Sequence, residues 1–236
     1  MKIDLFAFTY NDGNFLPFFL KYYKKIVDSM TFIDSGSTDS TLGQVKPYNV
    51  IHTGLKTWDW DAGQVILENV WKTSTADYVF FPNVDEIFYH PNLKEFLSSK
   101  IGEIDIFKMK GYQMVSNTFP KPEKNILDIR YGVPFSLYNK FMIFNPKCDI
   151  KFVNAHDIKT TCRKISFYEI KLLHYKYLGV KEQVRRAELV KKRVPKNSFC
   201  KGIGGNILKM YPGLVRTREQ YQNEINDLLV KAERVI

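Results

Sequence analysis

The chain opens on apolar Ile3, Leu5, Phe6, Ala7 and Phe8 and turns polar at Asn11-Asp12-Gly13, which predicts a buried strand over residues 3–10 closed by a turn. Phe15, Phe19, Tyr22, Tyr23, Ile26 and Val27 then recur at helical spacing, with Pro17 near the first turn, where its missing N–H does little harm. A second strand is expected over 31–34. The capping-rich run Asp34-Ser35-Gly36-Ser37-Thr38-Asp39-Ser40-Thr41 follows and predicts a helix start near Thr38 or Asp39. A third strand is read over 48–52 and a fourth over 78–81. Between them Ala62, Val65, Ile66, Asn69, Val70 and Thr73 share one helical face.

This alternation of strand and helix predicts an α/β fold with an open, mostly parallel central sheet flanked by helices. Ligands of such sheets bind beyond the carboxyl ends of the strands. The polar clusters at 9–12, 34–39 and 83–86 each follow a strand, so all three are expected on one rim. From residue 104 to 152 the texture shifts to short β-like runs at 104–109, 126–131 and 136–144, broken by Pro120 and Pro122, which predicts a mixed sheet continuing the same domain. A strand over 170–177 and a basic helix over 180–194 come next. Gly202-Ile203-Gly204-Gly205 is too short for a phosphate-binding loop with its lysine and reads as a lid candidate. Thr217-Arg218-Glu219-Gln220 reads as a capping box opening a last helix, with Tyr221, Ile225, Leu228, Leu229 and Ala232 facing inward.

At 236 residues one domain is expected, and 44% apolar with 25% charged residues marks a globular chain. The apolar runs fall far short of the roughly 20 residues that span a bilayer. With no leader pattern at the N-terminus, a cytoplasmic protein is expected. Cys148, Cys162 and Cys200 match neither a disulfide framework nor a zinc spacing and are expected as reduced thiols. The net charge of +10 calls for anionic surroundings, although many lysines accompany abundant Asn, Ile, Phe and Tyr.

Several residues then stand out chemically. In Asn83-Val84-Asp85-Glu86 two carboxylates and an amide follow a strand, the oxygen ligands a hard divalent cation prefers; the plainer alternative is a helix start. His174, within Leu172-Leu173-His174-Tyr175-Lys176-Tyr177, is either a core histidine or a metal ligand. His156-Asp157 offers a general base or merely a turn. Asp34 is suited to accept hydrogen bonds from a nucleobase or ribose, and Thr9, Tyr10 and Asn11 offer an aromatic face and polar atoms for a planar base.

Together these segments resemble the family 2 glycosyltransferases of the GT-A fold, bacterial branch with an acidic Asp-x-Asp-Glu-type motif. The resemblance is carried by Phe8-Thr9-Tyr10-Asn11-Asp12, by Phe32-Ile33-Asp34-Ser35-Gly36-Ser37-Thr38-Asp39-Ser40-Thr41, by Val79 to Phe88, and by Leu173-His174-Tyr175-Lys176, in that order. It implies a single glycosyltransferase domain over 1–236: a nucleotide-sugar-binding half at 1–100, an acceptor and catalytic half at 101–200, and a helical extension at 201–236. It implies nucleoside binding by Thr9, Tyr10 and Asp34, with Gln64 near the base. Asp85 is implied as a ligand of Mn²⁺ or Mg²⁺ on the diphosphate, with His174 as a late metal or diphosphate ligand.

Asn83 stands where the pattern has its first Asp, so one negative charge is missing; its amide is expected on ribose or on a metal-bound water. Inversion is implied, with Asp157 or His156 as the base and Glu86 as a third candidate. The implied partners are a nucleotide-diphosphate sugar, UDP favoured, and a glycan or lipid-linked glycan acceptor in surface glycan synthesis. The basic helix bearing Lys181, Arg185, Arg186, Lys191, Lys192 and Arg193 would suit a peripheral contact with anionic lipid. The competing readings are a basic nucleic-acid-binding module, for which no reader motif is visible, and a non-catalytic nucleotide-sugar binder.

Overall fold

The computed structural model describes residues 1–55, 60–154, 157–193 and 217–236. The chain forms two compact units. The first comprises Met1–Gly54, Trp60–Tyr112 and Pro134–His174; the second is built chiefly from Gln113–Val133 and the described residues of Tyr175–Ile236. Every described residue of the candidate site lies in the first.

In the first unit the strand order is β6-β8-β4-β1-β2-β3, from β1 (Ile3–Thr9), β2 (Ser29–Asp34), β3 (Asn49–His52), β4 (Tyr78–Phe80), β6 (Ile106–Ser116) and β8 (Ile143–Phe144). β1 runs parallel to β2 and β4, and β2 parallel to β3, while β8 is antiparallel to both β4 and β6. The α/β architecture is therefore the expected one, parallel in its first half and mixed in its second. β1 is buried almost throughout, which accounts for its apolar run from Leu5 to Phe8.

Helix α1 (Leu16–Tyr23) buries Leu16, Phe18, Phe19 and Tyr23, with Pro17 in its first turn. α2 (Thr41–Val45) starts later than Thr38, because the Thr38 and Asp39 N–H groups donate to the Asn11 side chain instead. α3 (Trp60–Asn69) begins close to expectation, but Val65 is exposed, and Leu67 with the following Trp71 makes the buried contact. α4 (Leu93–Ser99) buries Leu93 and Leu97.

Two expected strands are absent as such. Residues 126–131 form a 3-10 turn at Ile126–Asp128 before β7 (Tyr131–Pro134), since the Asn125 side chain accepts the Leu127 N–H at 3.1 Å and competes with a ladder. The stretch 136–144 holds a 3-10 turn, Ser136–Tyr138, and only the short β8.

The cysteine expectation is overturned: Cys148 and Cys162 form a disulfide with Cα atoms 6.0 Å apart, within bridging range. The cause is hairpin register. β9 (Ile150–Phe152) and β10 (Ile158–Thr160) pair antiparallel with Ile150 opposite Thr160, and two residues further out Cys148 and Cys162 face each other. A bridge closing a loop of about 15 residues contributes about 3 kcal/mol. Replacing both cysteines by Ser is therefore expected to lower the denaturant-unfolding free energy of the oxidised protein by about that amount; unchanged unfolding would contradict a closed bridge. Cys200 and the Gly202–Gly205 lid candidate lie outside the described residues.

In the second unit, α5 (Val180–Arg193) carries the basic face, but Arg185 and Arg186 pair with Glu182 at 2.6 and 3.3 Å and Arg193 is buried. The last helix, α6 (Arg218–Lys231), has the expected capping box between Thr217 and Gln220, and it buries Tyr221 and Ile225. β12 (Glu233–Arg234) pairs with β7. Among the described residues no helix is long and apolar enough to cross a membrane.

Candidate active site

Three segments leave the sheet along one edge. Thr9 and Asp34 are register partners at the ends of parallel β1 and β2. β4 lies on the other side of β1, with Phe80 opposite Leu5, and its continuation runs along β1 as Phe81 packs against Phe6 and Phe8. The segments 10–13, 35–40 and 81–85 thus share the carboxyl rim, where α/β sheets bind ligands.

The first two loops are bolted together by Asn11. Its backbone is left-handed, with φ of 52°, a conformation asparagine tolerates better than most side chains. That turn brings its Oδ1 onto the N–H groups of Thr38 at 2.7 Å and Asp39 at 3.2 Å, while its own N–H donates to Ser37 Oγ at 3.0 Å. Asp12 gathers the Tyr10 N–H at 3.0 Å and the Thr9 hydroxyl at 3.2 Å. Asp34 is buried at 1% exposure and folds back on its own loop, accepting the N–H groups of Gly36 at 3.0 Å and Ser37 at 3.2 Å, with His52 3.6 Å away. Asn11 and Asp34 are therefore builders of the rim's shape.

The acidic motif is a turn leading into a strand, and the helix start that competed for it does not form. The Glu86 N–H donates to the Asn83 carbonyl at 2.9 Å, and β5 (Glu86–Tyr89) then pairs antiparallel with β11 (Ile165–Leu178), His174 opposite Glu86. Helix α1 holds this strand: Tyr23 OH donates to the Glu86 carbonyl at 3.1 Å and accepts the Phe88 N–H at 2.9 Å, and Tyr22 OH donates to the Phe88 carbonyl at 2.7 Å. Burial raises the pKa of both phenols, so both remain donors at neutral pH.

The pairing of β5 with β11 brings together Asp85 and His174, 89 positions apart in sequence. Asp85 Oδ2 lies 3.0 Å from His174 Nε2, with side-chain exposures of 10% and 5%. Burial holds the imidazole below its ordinary pKa, opposed by the adjacent Asp85 carboxylate, so it favours the neutral, ligand-competent form. The Tyr138 ring stacks on His174 at 4.1 Å between centroids. Tyr138 is seated tightly because Gly111 has no side chain: a Cβ there would lie 2.5 Å from the Tyr138 backbone.

Glu86 is fully buried. Its carboxylate accepts the Asn83 N–H at 3.0 Å, the Asn83 side-chain amide at 3.1 Å and Lys140 Nζ at 2.5 Å. The Asn83 amide is thus a donor to Glu86. An Asp in its place would set two carboxylates against each other. Asn83→Asp is therefore expected to lower the melting temperature; an unchanged or raised melting temperature would refute this assignment.

Other candidates lie apart from this centre in their bonding. The Gln64 amide donates to the Phe152 carbonyl and to Glu68 Oε1, the latter at 3.0 Å, tying α3 to β9. Asp157 stands in the β9–β10 turn, its N–H donating to Asn154 Oδ1 at 3.0 Å and its carbonyl accepting from Val153 at 2.9 Å. His156 lies outside the described residues. Sequence reasoning missed Lys140 and Tyr138; the available signal was a lone lysine before the apolar run Phe141 to Phe144.

No protein-family model matches the chain, and no curated protein matches it. Among solved structures the chain is similar to S. aureus TarS at 16% identity and a TM-score of 0.48, covering 80% of this chain and 39% of that one. It is also similar to glucosyl-3-phosphoglycerate synthase from Mycobacterium tuberculosis, solved with Mn²⁺, uridine-diphosphate and glucosyl-3-phosphoglycerate, at 14% identity and a TM-score of 0.45, covering 83% and 81%. The chain spans well under half the length of TarS.

Proposed function

We propose that this chain is a nucleotide-sugar-dependent glycosyltransferase that uses Mn²⁺ or Mg²⁺ held by Asp85 and His174. The observation that carries the reading is the buried Asp85–His174 pair at the rim of parallel β1, β2 and β4. Its 3.0 Å separation suits a hydrogen bond and equally the edge between neighbouring ligands of an octahedral ion with bonds of about 2.1 Å. One carboxylate and one imidazole fit a Mn²⁺ site, and a nucleotide-bound ion commonly takes its other ligands from phosphate and water. Such an ion, when bound, supplies Lewis-acid stabilisation to the departing diphosphate.

The chain's own contributions follow from the rim. Asp12, Asn11 and Asp34 fix the loops against which the nucleoside would lie, and Thr9 and Tyr10 stand at the β1 end. In the transfer, a base takes the acceptor hydroxyl proton as the oxygen attacks the anomeric carbon. The bond to the diphosphate breaks with its electron pair on the leaving oxygen, inverting the configuration. Of the three base candidates, Glu86 is committed to Lys140 and Asn83, which leaves Asp157 and His156 of the β9–β10 connection. Synthesis of a surface glycan on a lipid carrier is the process this chemistry would serve.

The test is a screen of UDP-, GDP- and other nucleotide sugars for nucleoside diphosphate release, with Mn²⁺ and with a chelator. Mn²⁺-dependent release from one nucleotide class is expected. Binding without any release in the presence of acceptors would favour a non-catalytic binder, and neither binding nor release would reject the proposal.

A further inference from the structure

We infer that Lys140 is the positioning residue of this centre, a single buried ammonium that braces the supports of both Asp85 and His174 and so sets the separation between them. The inference rests on the reading of Asp85 and His174 as a metal-binding pair.

On the Asp85 side, Lys140 Nζ lies 2.5 Å from Glu86 Oε1. Glu86 in turn holds both the backbone and the side-chain N–H of Asn83, at 3.0 and 3.1 Å. With the Glu86 N–H on the Asn83 carbonyl at 2.9 Å, segment 83–86 is closed in both directions and carries Asp85 within it. On the His174 side, the same Nζ sits 4.8 Å from the centre of the Tyr138 ring, which lies against the imidazole with centroids 4.1 Å apart and planes inclined by 23°. Lys140 is itself anchored, its carbonyl accepting the Met109 N–H at 2.9 Å.

A lysine with 3% exposure contributes nothing to solubility, and an apolar pair of equal volume would stabilise the fold about as well. What the ammonium adds is direction. It makes a charge-assisted hydrogen bond to the carboxylate that shapes the Asp85 turn and a cation–π contact to the ring that backs His174. Loss of either contact lets the two ligand atoms drift apart without removing a ligand.

The test compares the wild type with K140R, K140M and the double variant K140M/E86Q, which removes both charges. Three quantities are measured: melting temperature, Mn²⁺ affinity in the presence of UDP by electron paramagnetic resonance of free Mn²⁺, and the His174 ring signals in two-dimensional ¹⁵N–¹H spectra of metal-free protein. The double variant is expected to melt near the wild type yet bind Mn²⁺ at least about tenfold more weakly, the usual effect of losing an outer-shell support. Its His174 ring signals are expected to move. K140R is expected to lose only part of the affinity. A double variant with wild-type Mn²⁺ affinity and unmoved ring signals would overturn the inference; should it not fold, wild-type values of both in K140M at a temperature where it is folded would do so. If the wild type binds no Mn²⁺ with UDP, the metal reading fails, and the Asp85 Oδ2–His174 Nε2 separation in a crystal structure of K140M/E86Q decides: a separation widened from 3.0 Å upholds the positioning role and an unchanged one overturns it.

Discussion

Asp85→Asn is expected to reduce Mn²⁺-dependent release of nucleoside diphosphate from a sugar donor by about a thousandfold. The figure follows from several kcal/mol of charge stabilisation at about 1.36 kcal/mol per tenfold in rate. The amide keeps the shape of the carboxylate and can still hydrogen-bond His174 Nε2, now 3.0 Å from Asp85 Oδ2, so the fold should survive. Asp85→Ala should cost the same activity and also some stability, about 1–3 kcal/mol, because a buried ring nitrogen loses its partner. Circular dichroism and melting curves separate the two effects. Near-normal turnover in Asp85→Asn, with the protein folded, would remove Asp85 from the chemistry.

The second large effect concerns stability. Lys140→Met leaves the Glu86 carboxylate, with its side chain only 1% exposed, without its cation. Breaking a buried pair from one side costs about 3–5 kcal/mol. In a chain of this size each kcal/mol lowers the melting temperature by about 2–4 °C. A drop of roughly 6–20 °C is therefore expected, and adding Glu86→Gln should recover most of it, since the uncompensated charge is then gone. A single variant that melts with the wild type would mean that the pair is not desolvated.

The parallel half of the fold was legible because its signals are local. Each of β1, β2 and β4 is an apolar run that ends in a polar turn, so both the strands and the rim they define follow from chain-order patterning. Asp85 and His174 could be singled out by the same logic, one following a strand and the other within one. The second half was harder. Residues 126–131 and 136–144 carry strand-like composition, yet Asn125 accepts the nearby Leu127 N–H, Asn139 accepts the N–H of Gly111, 28 positions away, and both stretches turn instead.

What the sequence hid are facts of register and tertiary approach. Cys148 and Cys162 become partners only through the pairing of β9 with β10, and Lys140 reaches Glu86 across 54 positions. Nothing in the neighbourhood of Asn83 hints that its amide faces Glu86. Asn83, whose amide is expected from the sequence on ribose or on a metal-bound water, donates its side-chain N–H to the buried Glu86 carboxylate.

The claim on which the rest depends is that Asp85 and His174 hold a divalent ion against a nucleoside diphosphate. Isothermal titration of UDP into the wild type, with Mn²⁺ and then with excess chelator, addresses it most directly. Binding that requires Mn²⁺, and that disappears in both Asp85→Asn and His174→Ala, is the predicted result. UDP affinity indifferent to the metal, or unchanged in those variants, would contradict it.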